Sequence, residues 1–299
     1  MTTKANELTE EKPIYFYDAD GSNEKWHFKF SVLAKYRYLL RNLILRDIKG
    51  RYKNSVLGIL WSLLNPLGLM LVFTVVFTVM RGADIRAYPV FILVGLIPWN
   101  FFNASMNQGA RSVISNGSLI KKVFFPRELL PTSAVLSNLV NFFFAFIMLV
   151  VFLYAFNLGL TIHALWVPAI LLTQVIFTLG LVLLLGSIAV FYRDVFMVME
   201  VVMLAWFFLT PVFYSLDSLA QSAEVMGVTF SPAQVMRWIN PMASIIDGYR
   251  TVLWGTTNSS GPVGMDPAYL LRTFVTAVVI FIFGYWTFMR QEHKFGEKL

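Results

Sequence analysis

Few residues in this sequence have the types and spacing needed for chemistry. Asp18-Ala19-Asp20 has the DxD pattern that sugar-nucleotide transferases use, because two carboxylates one residue apart can share a divalent ion. That motif needs an α/β nucleotide domain around it, and the sequence shows none. The alternative interpretation is a solvated acidic turn that ends at Gly21.

Other catalytic patterns are missing from the sequence. It contains no GxxxxGK[ST] phosphate loop and no cysteine, and the three histidines, His27, His163 and His293, are widely separated. No paired carboxylates or His-carboxylate pattern stands beside an apolar segment. The sequence therefore predicts a conduit or scaffold with no catalytic residues, no metal site and no cofactor of its own.

The composition indicates an integral membrane protein. Of 299 residues, 57% are hydrophobic and only 14% are charged, which lies outside the usual range for soluble domains. The formal charge of +7 comes mostly from basic residues that flank apolar segments. Because such residues accumulate on the cytosolic side of membrane spans, nucleic-acid binding is not predicted.

The elements that position the rest of the chain begin with a basic helix at residues 33–53. Its apolar positions recur every three or four residues, and an uncharged stretch at 54–80 follows directly. We interpret residues 33–53 as an amphipathic helix in the membrane plane and the next stretch as a span. A cytosolic helix with solvated charges is the alternative. The apolar positions are Leu33, Tyr36, Leu40, Ile44 and Ile48.

The predicted fold is all-α, with six transmembrane helices and both termini in the cytosol. Two short apolar pieces between spans five and six predict re-entrant or interfacial helices. The division is an N-terminal extension at 1–32, the interface helix at 33–53, the transmembrane domain at 54–289 and a C-terminal tail at 290–299. The spans are predicted at 54–80, 88–110, two within 129–192, 195–214 and 268–289.

The chain has a surplus of aromatic side chains that could line a passage for a sugar polymer. Flat apolar rings can stack on the C–H faces of pyranose rings and still allow sliding. Packing within the core or against lipid is the competing interpretation for any single ring. The candidate channel residues are Trp61, Trp99, Phe101, Phe102, Trp206, Phe207 and Tyr214.

Three charged residues near the membrane have open interpretations. Glu200 interrupts the fifth predicted span, where an ionisable group suggests function, but it lies close enough to Asp194 to reach the interface. Arg37 and Arg41, at the apolar edge of the interface helix, could bind the pyrophosphate of a lipid carrier. Anchoring to anionic lipids explains these two arginines equally well.

The sequence resembles the membrane subunit of ABC-type polysaccharide exporters over residues 33–299. The N-terminal extension departs from that pattern. The motifs that carry the resemblance are LGILW at 57–61, PWNFF at 98–102, LIKKVFFPR at 119–127, FYRD at 191–194, PVFY at 211–214 and NP at 240–241 with DGYR at 247–250.

The resemblance implies a bacterial inner-membrane protein that exports a lipid-linked O-antigen, capsule or teichoic-acid polymer as a homodimer. It implies two copies of a separate ATPase, which would bind ATP and Mg²⁺, and a cytosolic loop that docks into that ATPase. A loop that only sets the topology is the alternative. The matching residues are Arg111, Lys121, Lys122, Phe124, Arg127 and Glu128.

Three other functions remain open at this stage. A related exporter could move a drug or a simple lipid, although the aromatic surplus and the KKVFFPR segment argue against it. A membrane polyprenyl-phosphate sugar transferase or acyltransferase would need acidic or histidine residues clustered on one face. A passive channel or scaffold would lack any coupling to ATP hydrolysis.

Overall fold

A computed structural model describes residues 35–53, 55–80, 85–216, 219, 223–225, 228–256 and 258–299. The N-terminal extension and its DxD motif lie outside these residues. Eleven helices are numbered here along the described chain. They are α1 (Arg37–Tyr52), α2 (Trp61–Thr74), α3 (Tyr88–Ser115), α4 (Gly117–Lys122), α5 (Leu129–Ala155), α6 (Val167–Phe191), α7 (Val195–Leu209), α8 (Pro232–Ile239), α9 (Pro241–Leu253), α10 (Pro267–Gln291) and α11 (Phe295–Lys298).

Short segments extend several of these helices. A 3₁₀ turn precedes α2, another precedes α6, and a third joins α10 to α11. A π-helical turn continues α2. The three 3₁₀ turns are Gly58–Leu60, Ile162–Trp166 and Glu292–Lys294, and the π-helical turn is Val75–Met80.

Five helices in the described part of the chain are long and apolar enough to cross a membrane. They correspond to predicted spans one, two, three, four and six. The helix at the position of the fifth, α7, is apolar but has only 15 residues, fewer than the roughly 20 that a perpendicular crossing needs. Six spans therefore stay a proposal. The five segments are Trp61–Thr78, Tyr88–Lys122, Leu129–Ala155, Ile162–Phe191 and Pro267–Lys298.

Helix α3 is the central element of the bundle. Of its most apolar stretch, 78% is buried, because α5 and α6 pack along it and α2 and α9 cover its remaining sides. A polar crosslink stabilises the middle of this packing: Gln174 Nε2 donates to the Pro98 carbonyl oxygen at 2.8 Å, and the Tyr249 hydroxyl donates to Gln174 Oε1 at 3.1 Å. These groups satisfy one another's hydrogen-bonding capacity in the bundle interior, where water is absent.

Helices α6 and α10 form the closest helix pair. A Cβ at Gly284 would collide with the Gly180 carbonyl oxygen, and a Cβ at Gly180 would lie 2.6 Å from Phe281 Cα. Small residues allow this approach, because association of helices in a membrane depends on close van der Waals contact. The contact holds α10 against the bundle.

Helix α1 lies within the predicted helix at 33–53, and the expected apolar positions Tyr36, Leu40, Ile44 and Ile48 are all partly buried. Leu43 is buried, with Tyr36, Leu39 and Leu40 packed partly against the same cluster. Leu43 was not among the expected apolar positions, and Asp47 follows it on this side. The contact surface is the protein itself, and the placement of α1 in the membrane plane stays a prediction.

A second hydrophobic cluster closes one end of the bundle, called here the basic end. Leu43 of α1, Ile120 of α4, Leu129 of α5 and Phe295 of α11 meet there. A Cβ at Gly117 would lie 3.5 Å from Leu299 Cβ, so the C-terminus packs directly on α4. The basic end therefore ties the first and last helices to the segment between α3 and α5.

The long loop between α7 and α10 contains helices α8 and α9, at the two apolar pieces expected from sequence. It also contains a two-stranded antiparallel hairpin, β1 (Ala223–Val225) and β2 (Val228–Phe230), which the all-α prediction did not include. Buried Arg250 of α9 clamps the end of α7, because it donates to the Val212 and Tyr214 carbonyl oxygens at 2.9 and 3.0 Å.

Candidate functional site

The structure brings four of the seven candidate channel rings together. Trp99 lies 5.4 Å from Phe207, and Phe102 lies 5.2 Å from Trp206, measured between ring centroids. Trp99 and Phe102 are buried within the chain, and Trp206 and Phe207 are partly buried. These rings join α3 to α7. Their role in a channel stays a prediction.

The remaining three rings lie outside this group of four. Tyr214 contacts Phe213 at the end of α7. Phe101 is buried against Phe142 of α5, with a centroid distance of 5.7 Å. Trp61 begins α2 with 54% of its surface exposed.

Trp61 and Phe101 border one cleft of about 350 Å³ between α2, α3 and α5. Five asparagines line this cleft, together with Arg51 and Tyr52 from the end of α1. We call it the asparagine cleft. The asparagines are Asn65 on α2, Asn100 and Asn103 on α3, and Asn138 and Asn141 on α5.

Helical spacing explains how the amides reach one cleft. Asn100 and Asn103 are three residues apart on α3, and so are Asn138 and Asn141 on α5. Residues at this spacing lie on one side of a helix. The sequence analysis missed these residues because it counted charges and rings, and neutral amides add to neither count.

A hydrogen-bond network fixes α1 to the wall of the asparagine cleft. Arg51 Nη2 donates to Asn138 Oδ1 at 2.8 Å and also to Gln108 Oε1, while Asn138 Nδ2 donates to Gln108 Oε1 at 3.0 Å. The Tyr52 hydroxyl donates to Asn141 Oδ1 at 3.0 Å. These bonds set the width of the cleft at the basic end.

Arg37 and Arg41 lie away from this cleft. Both side chains are exposed on the first half of α1, and ten residues separate Arg41 from Arg51, which corresponds to roughly 15 Å along a helix. Arg46, Lys49 and Lys53 lie nearer, around a shallow hollow that shares Tyr52 with the cleft.

The segment between α3 and α5 presents an exposed aromatic ring at the basic end. Phe124 is 92% exposed, and Lys121 and Lys122 beside it are exposed as well. Ile120, on the other side of α4, is buried in the end cluster. Helix α4 is therefore packed against the end cluster on one side, while the Phe124 ring and the charges of Lys121 and Lys122 are exposed beside it.

Arg111 lies within α3, directly after the predicted end of the second span at residue 110. Its Nη2 lies 3.7 Å from Glu200 Oε1 of α7, and its guanidinium lies 4.1 Å from the Phe196 ring centroid. Glu200 therefore has a positive partner near the basic end. The pair links α7 to the helix that leads into α4.

Glu128 and Arg127 sit where α5 begins, beside the end of α10. Burial is the main cause that raises the pKa of Glu292, and the neighbouring Glu128 carboxylate raises it further, to about 7, although Arg127 acts in the opposite direction. Two carboxylates thus share a partly buried place between the start of α5 and the C-terminal tail.

Comparison with known proteins identifies the family. The family model for the ABC-2 type transporter matches residues 38–254, which run from the start of α1 to the end of α9. The chain belongs to the ABC-2 type transporter family.

Several ABC-2 relatives align over most of this chain. The O-antigen export system permease protein RfbA of Myxococcus xanthus is 36% identical over 74% of this chain and 82% of its own length. A protein of the same name from Klebsiella pneumoniae is 30% identical over 90% of this chain and 100% of its own length. The polysialic acid transport protein KpsM of Escherichia coli is 33% identical over 26% of this chain and 31% of its own length.

Membership in the ABC-2 family fixes the general character of the chain. Together with the five long apolar helices, it makes this a multi-pass inner-membrane protein. Permease subunits of ABC transporters are not enzymes themselves, and they imply an ATP-binding partner subunit. The matched range includes the asparagine cleft and all of the segment around Phe124.

We predict that replacing Phe124 with alanine weakens binding of the ATP-binding partner at least tenfold, because exposed aromatic anchors dominate protein interfaces. The bundle should keep its stability, since the ring contacts solvent. Co-purification of the partner with the F124A variant measures this. Phe156→Ala removes an exposed ring at the opposite end of α5 and should have no effect. Equal recovery of the partner with both variants would contradict the prediction.

We also predict a pH dependence of stability from Glu292. Its folded pKa of about 7 lies above the ordinary value of 4.5, so the folded state binds the proton more tightly. This contribution is fully present below pH 4.5 and is lost as the pH rises through about 7. The unfolding temperature in detergent should therefore fall over this range.

Glu292→Gln should remove this part of the pH dependence, because glutamine resembles the protonated acid. Glu297→Gln, at an exposed position on α11, is the matched control and should leave the slope unchanged. If the unfolding temperatures of E292Q and of the original chain fall equally as the pH rises, Glu292 does not cause the predicted pH dependence.

Proposed function

We propose that this chain is the permease subunit of an ATP-driven ABC transporter that exports a lipid-linked polysaccharide across the bacterial inner membrane. The observation that carries the proposal is the similarity, along most of the chain, to permeases named for O-antigen export. The match to a polysialic acid transport protein supports a polymer of sugars as cargo.

The partner subunit would supply ATP hydrolysis, with ATP and Mg²⁺ bound there. The proposed coupling surface consists of Lys121, Lys122 and Phe124, which α4 holds outward. The contact of Arg111 with Glu200 would transmit movement of this surface to α7. The carboxylate pair of Glu128 and Glu292 would transmit it to α10. Two copies of the ATPase would bind to two copies of the permease.

Exposed apolar surface on α2 and α7 supports a homodimer. Only 6% of the apolar stretch of the first span is buried, and α7 exposes a line of apolar residues that also includes Glu200, which is 69% exposed. A carboxylate is costly against hydrocarbon, so we propose that this side faces the second copy and a passage between the two. The line is Met197, Val201, Leu204 and Phe208.

Both termini lie in the cytosol in this proposal, and α7 completes six spans with the residues that follow it. The basic end then faces the cytosol, where lysines and arginines are favoured. Arg37 and Arg41, exposed on α1, would bind the phosphates of the lipid carrier.

Deleting the chain from its host should abolish surface polysaccharide and cause the lipid-linked glycan to accumulate inside the cell. Complementation with the original chain should restore export. Replacing both Arg37 and Arg41 with alanine should lower export at least tenfold, because a single hydrogen bond to a charged group contributes about 1.5–3 kcal/mol. Extraction of glycan from the cell surface and from the cytosolic side measures how much is exported and how much accumulates. Unchanged surface glycan after deletion would refute the proposal.

Cysteine crosslinking tests the proposed dimer on a clean background, since the chain has no cysteine. Single cysteines at Met197, Val201, Leu204 or Phe208, treated in membranes with a bifunctional maleimide, should give crosslinked dimers at one position or more. Val279→Cys, at a similarly exposed valine on α10, should stay monomeric. Dimers from position 279 alone would place the interface elsewhere.

A further inference from the structure

The asparagine cleft contains amides whose hydrogen-bonding capacity is not used. Among the described residues, the side chains of Asn65 and Asn100 make no hydrogen bond, and the buried Asn141 Nδ2 lacks an acceptor. An unpaired polar group in a buried or lipid-facing place is destabilising. All three residues lie within candidate spans, so the cleft must offer them water or a ligand.

The chemistry of the cleft fits a neutral polyhydroxylated ligand. A carboxamide both donates and accepts hydrogen bonds, as a hydroxyl group does. Trp61 and Phe101 supply apolar ring surface at the border of the same cleft. The volume of about 350 Å³ lies within the range of small-molecule sites, which is roughly 300–1,000 Å³.

Charge argues against an anion inside the cleft. Arg51 is the one charged residue that lines it, and its guanidinium already binds Asn138 and Gln108. Further cations lie outside, since Lys49 and Lys53 line the neighbouring hollow together with Arg46, which is paired with Asp47 and Asn116. A lipid tail inside the cleft would leave the amides unpaired.

We propose that the asparagine cleft binds the saccharide units of the substrate that lie next to its anionic lipid link. Asn100 and Asn141 provide the main hydrogen bonds, Trp61 provides a stacking surface, and the basic hollow receives the negative charge of the link. This inference rests on the proposed function, because it takes the lipid-linked glycan as the substrate.

Photo-crosslinking in the intact cell identifies the occupant. A photoreactive phenylalanine analogue at position 65 is activated in cells that make the native glycan, and the captured species is detected by periodate-based glycan staining. A crosslinked ladder that stains for glycan supports the proposal. Crosslinks to a second copy of this chain, or to phospholipid alone, would overturn it.

Paired substitutions measure the contribution of the amides. Asn100→Leu together with Asn141→Leu keeps the branched side-chain shape but removes both carboxamides, and should lower the export rate roughly tenfold, since two hydrogen-bonding groups are lost. Glutamine at both positions should restore part of the rate. Gln234→Leu, which removes an exposed carboxamide on α8 outside the cleft, is the control.

The controls separate this inference from the proposed function. Amounts of the chain and of its co-purified ATPase are measured for each variant, so that a folding defect is recognised. If export requires the chain but the double leucine variant exports at the original rate, the cleft proposal fails alone. If deletion of the chain leaves export intact, the proposed function fails.

Discussion

The absence of water in the hydrocarbon region is the constraint on which the structure depends. Every polar group at that depth must meet another polar group or face a wet space. Gln174 meets Pro98 and Tyr249 in the centre of the bundle, and Arg250 meets the carbonyl oxygens at the end of α7. The amides of Asn65, Asn100 and Asn141 border a cleft and not a packed core.

Helix α3 connects this polar cleft to the surface that faces the partner. It carries Asn100 and Asn103 at the cleft and Arg111 at the basic end, and it leads through one turn into α4. Because a helix transmits displacement along its axis, movement of α4 by a partner would shift the cleft wall. The salt bridge from Arg111 to Glu200 extends this connection to α7.

The sequence predicted the helices well where charges are absent over long stretches. Helices α5 and α6 and the turn between them match expectation, because uncharged residues from 129 to 192 leave little choice. The buried side of α1 was predicted in outline, since Tyr36, Leu40, Ile44 and Ile48 are all partly buried. Leu43 was not expected among them, because only the tertiary contacts at the basic end bury it completely.

The candidate site could be predicted only in part. Exposed Phe124 was named from a resemblance, but its exposure depends on how α4 packs at the basic end. The asparagine cleft was missed because its amides come from three helices that only the fold brings together. Their spacing on α3 and α5 was a signal in the sequence, although it did not show that the two helices face each other.

The central claim is that this chain couples a partner's ATP hydrolysis to movement of a lipid-linked glycan. The most direct measurement is ATP hydrolysis by the chain purified with its partner in lipid discs, with and without the lipid-linked glycan of its own host. The account predicts that an ATPase co-purifies and that the glycan raises its rate. An ATPase that is indifferent to the glycan, or a chain that purifies without one, would contradict the account.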